Sequence, residues 1–128
     1  MKLRIRGNSI RLRLSQGEVF SLVAEGVVRE SVHFSAAPVD RLTYSVQLST
    51  SMSTPSASRH NGDLVVMLPR ALAVQWANSG QTGITHVQSL GNGGDLRIVV
   101  EKDFRCLQPR PEEDEADNFP HPDPESCG

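Results

Sequence analysis

The sequence predicts a mostly-β domain in which two copies of one strand–strand–helix–strand–strand (ββαββ) unit close a shared core. Two observations carry this. A pattern repeats at an offset of 54 positions: Ile10-Arg11-Leu12-Arg13-Leu14 answers to Leu64-Val65-Val66-Met67-Leu68, Gly26 to Gly80, and Leu42-Thr43-Tyr44-Ser45-Val46 to Leu96-Arg97-Ile98-Val99-Val100. Within these segments apolar residues alternate with polar ones, the period-two pattern of half-buried strands. Few identities survive, but hydrophobic type and turn positions keep one offset without a gap. A unit too small to bury its own apolar face is stabilised by stacking on a second.

In the first copy, Lys2–Arg6 and Ile10–Leu14 are predicted strands. Leu3, Ile5, Ile10, Leu12 and Leu14 point one way, and Arg4, Arg6, Arg11 and Arg13 the other. Gly7-Asn8-Ser9 tolerates positive φ and joins them as a hairpin. Ser15 with Glu18 three residues on forms a capping-box signature. Val19, Leu22 and Val23 then share a helical face, and Gly26 supplies a left-handed stop. Strands are expected over Val27–Phe34 and Arg41–Ser49, with Ser35–Asp40 as the loop between them.

The second copy begins within the Ser/Thr-rich stretch Thr50–Ser58, whose later part with Arg59 is expected as an edge strand beside Pro55. Asn61-Gly62 is a strong hairpin turn, followed by a strand over Asp63–Leu68. Pro69 opens a helix, where its missing N–H costs nothing. Leu72, Ala73, Trp76 and Ala77 form its apolar face and Gly80 ends it. Thr82–Leu90 and Asp95–Phe104 are the last strands, around the turn Gly91-Asn92-Gly93-Gly94.

These boundaries give a single domain over residues 1–106, with repeats at about 1–53 and 54–106. From residue 107 the chain turns acidic and Pro-rich; helix and central strand are excluded there, and 107–128 is expected to be disordered when free. Residues 1–106 hold twelve Lys/Arg against eight Asp/Glu (+4), and residues 107–128 one against seven (−6). A basic body and an acidic tail suggest an anionic partner for the body, or a basic surface for the tail. No apolar run approaches the ~20 residues that span a bilayer. The alternating N-terminus lacks the apolar stretch of a secretory signal, which points to the cytoplasm. Two cysteines, Cys106 and Cys127, are too few for a disulfide framework.

Arg6-Gly7-Asn8-Ser9-Ile10-Arg11-Leu12-Arg13-Leu14 and Asn61-Gly62-Asp63-Leu64-Val65-Val66-Met67-Leu68-Pro69 resemble the swapped-hairpin unit of SpoVT/AbrB-type proteins, a family that includes transition-state regulators and MazE-like antitoxins. The resemblance implies a pseudo-two-fold, swapped-hairpin barrel related to the cradle-loop barrels, formed here within one chain. It also implies a DNA-phosphate surface on Arg4, Arg6, Arg11 and Arg13. From the antitoxins it implies an extended acidic tail lying in a basic groove of a toxin, here Glu112, Glu113, Asp114, Glu115 and Asp117 with Phe119 as an aromatic anchor. The chain is also similar to an uncharacterised group of small bacterial proteins that share its MK-h-RI…GNSIRLRL start and EKDF-x-CL segment (Glu101–Leu107); that likeness implies no activity.

The four arginines carry a second meaning, since Arg on the wet face of an edge strand also protects against aggregation. The tail also has alternatives: it covers its own chain's arginines, or stays solvated. Cys106, His121, Asp123 and Cys127 match no zinc-site spacing, so no metal or other cofactor is expected. No G-x-S-x-G, P-loop or H-E-x-x-H is present, and His33, His60 and His86 are scattered. Glu101-Lys102-Asp103 reads as a wet strand end. The expected function is non-enzymatic: a DNA-associated regulator or antitoxin-like protein that binds double-stranded DNA. The alternatives are a protein-interaction module acting through its tail and a small-molecule-binding barrel. Only the first copy keeps its basic residues, because Arg11 and Arg13 answer to Val65 and Met67.

Overall fold

A computed structural model of the chain describes residues 1–104. The element order is β1 (Lys2–Ile5), β2 (Ser9–Leu14), α1 (Gln16–Glu25), β3 (Val27–His33), β4 (Arg41–Ser49), β5 (Ser56–His60), β6 (Asp63–Pro69), α2 (Arg70–Ala77), β7 (Gly83–Ser89) and β8 (Asp95–Lys102). This is ββαββ twice. Each local signal acts where the residues demand it. Asn61 and Gly62 both take positive φ (52° and 83°), the type I′ geometry that matches strand twist. Ser15 and Glu18 form both halves of the capping box, and Gly26 at φ 82° ends α1.

The two halves exchange hairpins. Sheet A runs β1-β2-β8-β7 and sheet B runs β3-β4-β6-β5. The first hairpin thus adds to the last two strands of the second copy, through a parallel β2–β8 ladder that pairs Ile10 with Ile98. The second hairpin adds to the last two strands of the first copy, through β4–β6, where Leu64 pairs with Tyr44. These registers are related by the same 54-residue offset. So are the hairpin registers, Lys2 with Arg13 and Ser56 with Met67.

The offset breaks at one place. Val27 pairs with Gln47, so the repeat requires Gln81 opposite Glu101; Gly83 is found there instead. The connection after α2 has lengthened by the two residues that the β7–β8 loop has lost. Gly80 correspondingly does not end its helix. Asn78 is the C-cap at φ −99°, and its backbone N–H and side-chain amide both donate to the Val74 carbonyl (3.1 and 3.0 Å). With that carbonyl satisfied, no left-handed glycine is needed. Pro69 closes β6 in register with Ser49 and directly precedes α2.

The expected closed barrel does not form. Among the described residues no backbone ladder joins the edges of sheet A to those of sheet B. Side chains bridge the seams instead. Between β5 and β7, the Gln88 amide stands in for a strand: its Oε1 accepts from Ala57 N–H (2.8 Å) and its Nε2 donates to the Ala57 carbonyl (3.0 Å). At the opposite seam the Met1 ammonium donates to Glu18 and to Glu30 of β3, and the Tyr44 hydroxyl donates to Glu30. Buried side chains from both sheets and both helices, including Leu12, Leu14, Leu22, Val66, Leu68, Trp76, Ile98 and Val100, fill one cluster. Neither half has a core of its own.

The Met1 cluster sets a pH dependence. Burial alone would lower the ammonium's pKa, but hydrogen bonds and charge from Glu18 and Glu30 outweigh it, and the net shift is upward from 8.0. Burial alone would raise the Glu18 carboxyl, but the ammonium and the Ser15 cap hold it below 4.5. A carboxylate lowered on folding stabilises above its unfolded value and loses that contribution as pH falls. An ammonium raised on folding stabilises below its unfolded value and loses that contribution as pH rises through the folded one. The thermal midpoint should therefore be highest between about pH 4.5 and 8, and Glu18→Gln should flatten the acid limb of that profile. A Glu18→Gln midpoint that tracks the parent at every pH would contradict the assignment.

Candidate nucleic-acid interface

Alternation along the strands of sheet A turns Leu12, Ile84, Ile98 and Val100 inward. The same alternation puts Lys2, Arg4, Arg11, Arg13 and Arg97 on the outer face, where registers set Lys2 opposite Arg13 and Arg4 opposite Arg11. Five cations share this face with Asp95 and Glu101; Asp103 lies just past the end of β8. Arg6 lies beyond the end of β1, exposed, next to the hairpin turn in which Gly7 takes φ 55°. The sequence-predicted arginines are thus brought to one surface.

They do not share one environment. Glu101, in register with Arg13, accepts from Arg13 Nε at 2.6 Å, and the Arg13 side chain is only 12% exposed. Arg11 Nε lies 3.9 Å from the same carboxylate oxygen. Lys2 Nζ is 2.8 Å from Asp103 Oδ2. Val99 faces outward yet is 5% exposed, beside Arg11 in the ladder; long arginine stems cover apolar surface in this way while their heads stay in water. Arg13 therefore anchors the face, whereas Arg4, Arg6, Arg11 and Arg97 supply its outward charge. Glu101 and Asp103, expected as a plain wet strand end, instead pair with three of the cations, Lys2, Arg11 and Arg13.

Arg97 was not legible as a member of this set. Its flanks, Leu96 and Ile98, mark it as outward-facing, but it belongs to the second copy. Only the parallel β2–β8 pairing, which puts Ser9 opposite Arg97 and lets Arg97 N–H donate to the Asn8 carbonyl (3.1 Å), joins it to the first hairpin.

The matching face of sheet B has a different chemistry. It carries Arg29 and Arg41 with Ser31, Thr43, Ser45, Val65 and Met67. Arg41 Nε donates to Thr43 Oγ1 (3.0 Å), and Ser31 and Thr43 share a hydrogen bond of 2.7 Å. The sheet A face carries five cations, Lys2, Arg4, Arg11, Arg13 and Arg97, where the sheet B face carries Arg29 and Arg41.

Among the described residues no group of three or more His, Cys, Asp or Glu could hold a metal ion, and no helix is long and apolar enough to cross a membrane. Cys106, His121, Asp123 and Cys127, and the acidic candidates Glu112, Glu113, Asp114, Glu115 and Asp117 with Phe119, lie outside the described residues. A family model described as a family of unknown function, DUF7009, matches residues 1–123. No curated protein and no solved structure matches the chain.

Proposed function

We propose that this chain, which belongs to the DUF7009 family of unknown function, is a non-enzymatic binding protein that holds double-stranded DNA by its phosphates on the outer face of sheet A. The observation that carries the reading is the meeting of Arg4, Arg6, Arg11 and Arg97 on one surface contributed by both halves, with Arg13 fixed beneath them by Glu101. The exchange of hairpins between the halves supports the resemblance to swapped-hairpin regulators. Guanidinium groups suit phosphate because they donate in a fixed fork and are never neutral. Contacts of this kind position a duplex without reading its bases, so binding should be nearly sequence-independent. Among the described residues no aromatic side chain lies on this face to serve as a platform for stacking single-stranded bases.

Fluorescence anisotropy with a labelled 20-base-pair duplex tests this. At 50 mM salt the full chain should bind with a dissociation constant of about 10 µM or tighter, with little difference between unrelated duplexes. No binding at that salt would remove the proposal.

A further inference from the structure

Helix α1 is apolar on two stripes. Val19 and Leu22 enter the core. Phe20, Val23 and Ala24, spaced as one helical stripe, instead line an open groove of about 1160 Å³ with Leu14, Ala77 and Phe104. Phe20 is 75% exposed and Phe104 56% exposed. Two unburied phenylalanines on one apolar wall mark a surface with an occupant. We propose that the occupant is the chain's own C-terminal segment, residues 105–123, seated between α1 and the C-terminal end of α2.

Three observations favour this segment over a second copy or a foreign partner. Phe104, the last described residue, is itself a wall of the groove, so the 24 residues that follow start at its mouth. They open with Arg105-Cys106-Leu107, which places an apolar side chain three positions from Phe104, and Phe119 follows within the same segment. The family match continues to residue 123, well past Phe104, so this segment belongs to the same family unit as the fold. Tethering adds a physical advantage, because a segment joined covalently beside the groove is present at an effective concentration on the order of millimolar. A second copy would have to outcompete that. The groove's charged lining is balanced and favours no highly charged occupant: Lys102, which donates from Nζ to the Ser79 carbonyl at 2.7 Å, stands beside Asp103. This inference is independent of DNA binding.

The test uses the full chain with Phe20 replaced by the photo-cross-linking residue p-benzoylphenylalanine; the exposure of Phe20 lets the fold tolerate the change, and fluorescence of Trp76, the one tryptophan, reports that it has. On irradiation of dilute protein the expected product is monomeric, with the cross-link at or beyond Leu107. Adding Leu107→Asp and Phe119→Asp should lower its yield about tenfold, the effect of losing buried apolar side chains. A cross-linked dimer, a cross-link confined to residues before Leu107, or a yield unchanged by the two aspartates would overturn the proposal.

Discussion

Trp76→Ala should cost about 3–5 kcal/mol of folding stability, a large share of the ~5–15 kcal/mol typical of a domain. Trp76 is fully buried at the point where α2 meets the shared core, with Lys102 Nζ 5.8 Å above its ring. The side chains buried with Trp76 in this one cluster are mostly aliphatic, and they would fill only in part the cavity that truncation leaves. Two effects compete in the milder Trp76→Phe. Lost volume destabilises it. Against that, Trp76 Nε1 is buried with no hydrogen-bond partner among the described residues, and removing an unsatisfied donor recovers about 1–3 kcal/mol of desolvation cost. Trp76→Phe should therefore lose much less than the alanine variant. Urea unfolding followed by far-ultraviolet circular dichroism gives both values, and an alanine variant within ~1 kcal/mol of the parent would mean that α2 does not share the core.

The second large effect concerns the asymmetry of the two faces. Arg11→Glu with Arg97→Glu replaces two outward cations on sheet A by anions, a change of four charges on the proposed phosphate surface. Duplex affinity should fall by at least about a hundredfold at low salt, since two phosphate contacts are lost and two repulsions are created. Arg29→Glu with Arg41→Glu makes the same change in net charge on sheet B. It should leave affinity within roughly threefold, because charges beyond a Debye length of about 10 Å act only weakly. Equal losses in the two double variants would show that net charge, and no particular face, governs binding.

The same asymmetry shows what the residues disclosed and what they withheld. Strand alternation, the Ser15–Glu18 cap and the Asn61-Gly62 turn are local devices, each complete within a few residues, and each appears in the fold where the chain encodes it. The mostly-β, duplicated architecture follows from them. Closure of a barrel does not, because it depends on whether edge strands meet; here Gln88 and the Met1–Glu30 contact occupy the seams where ladders would run. The two-residue slip in β7 was hidden for a similar reason. Gly80 repeats Gly26 in sequence, but its helix is closed two residues earlier by Asn78, a residue with no counterpart signal in the first copy. At the site, alternation placed Arg4, Arg11 and Arg13 on one face. Their inequality came from Glu101, and their enlargement by Arg97 from β8; both are more than 80 positions away in the chain and adjacent only through parallel pairing.

The proposed phosphate-binding surface is made by four outward arginines from both halves. Its most direct test is the salt dependence of duplex binding by the full chain. Four neutralised phosphates predict a slope of about −3.6 in log K against log salt, or roughly a 150-fold loss of affinity between 50 and 200 mM. In the Arg11→Glu, Arg97→Glu variant the slope should fall to about −1.8 or binding should vanish. A wild-type slope near zero, or one that this variant leaves unchanged, would contradict the account.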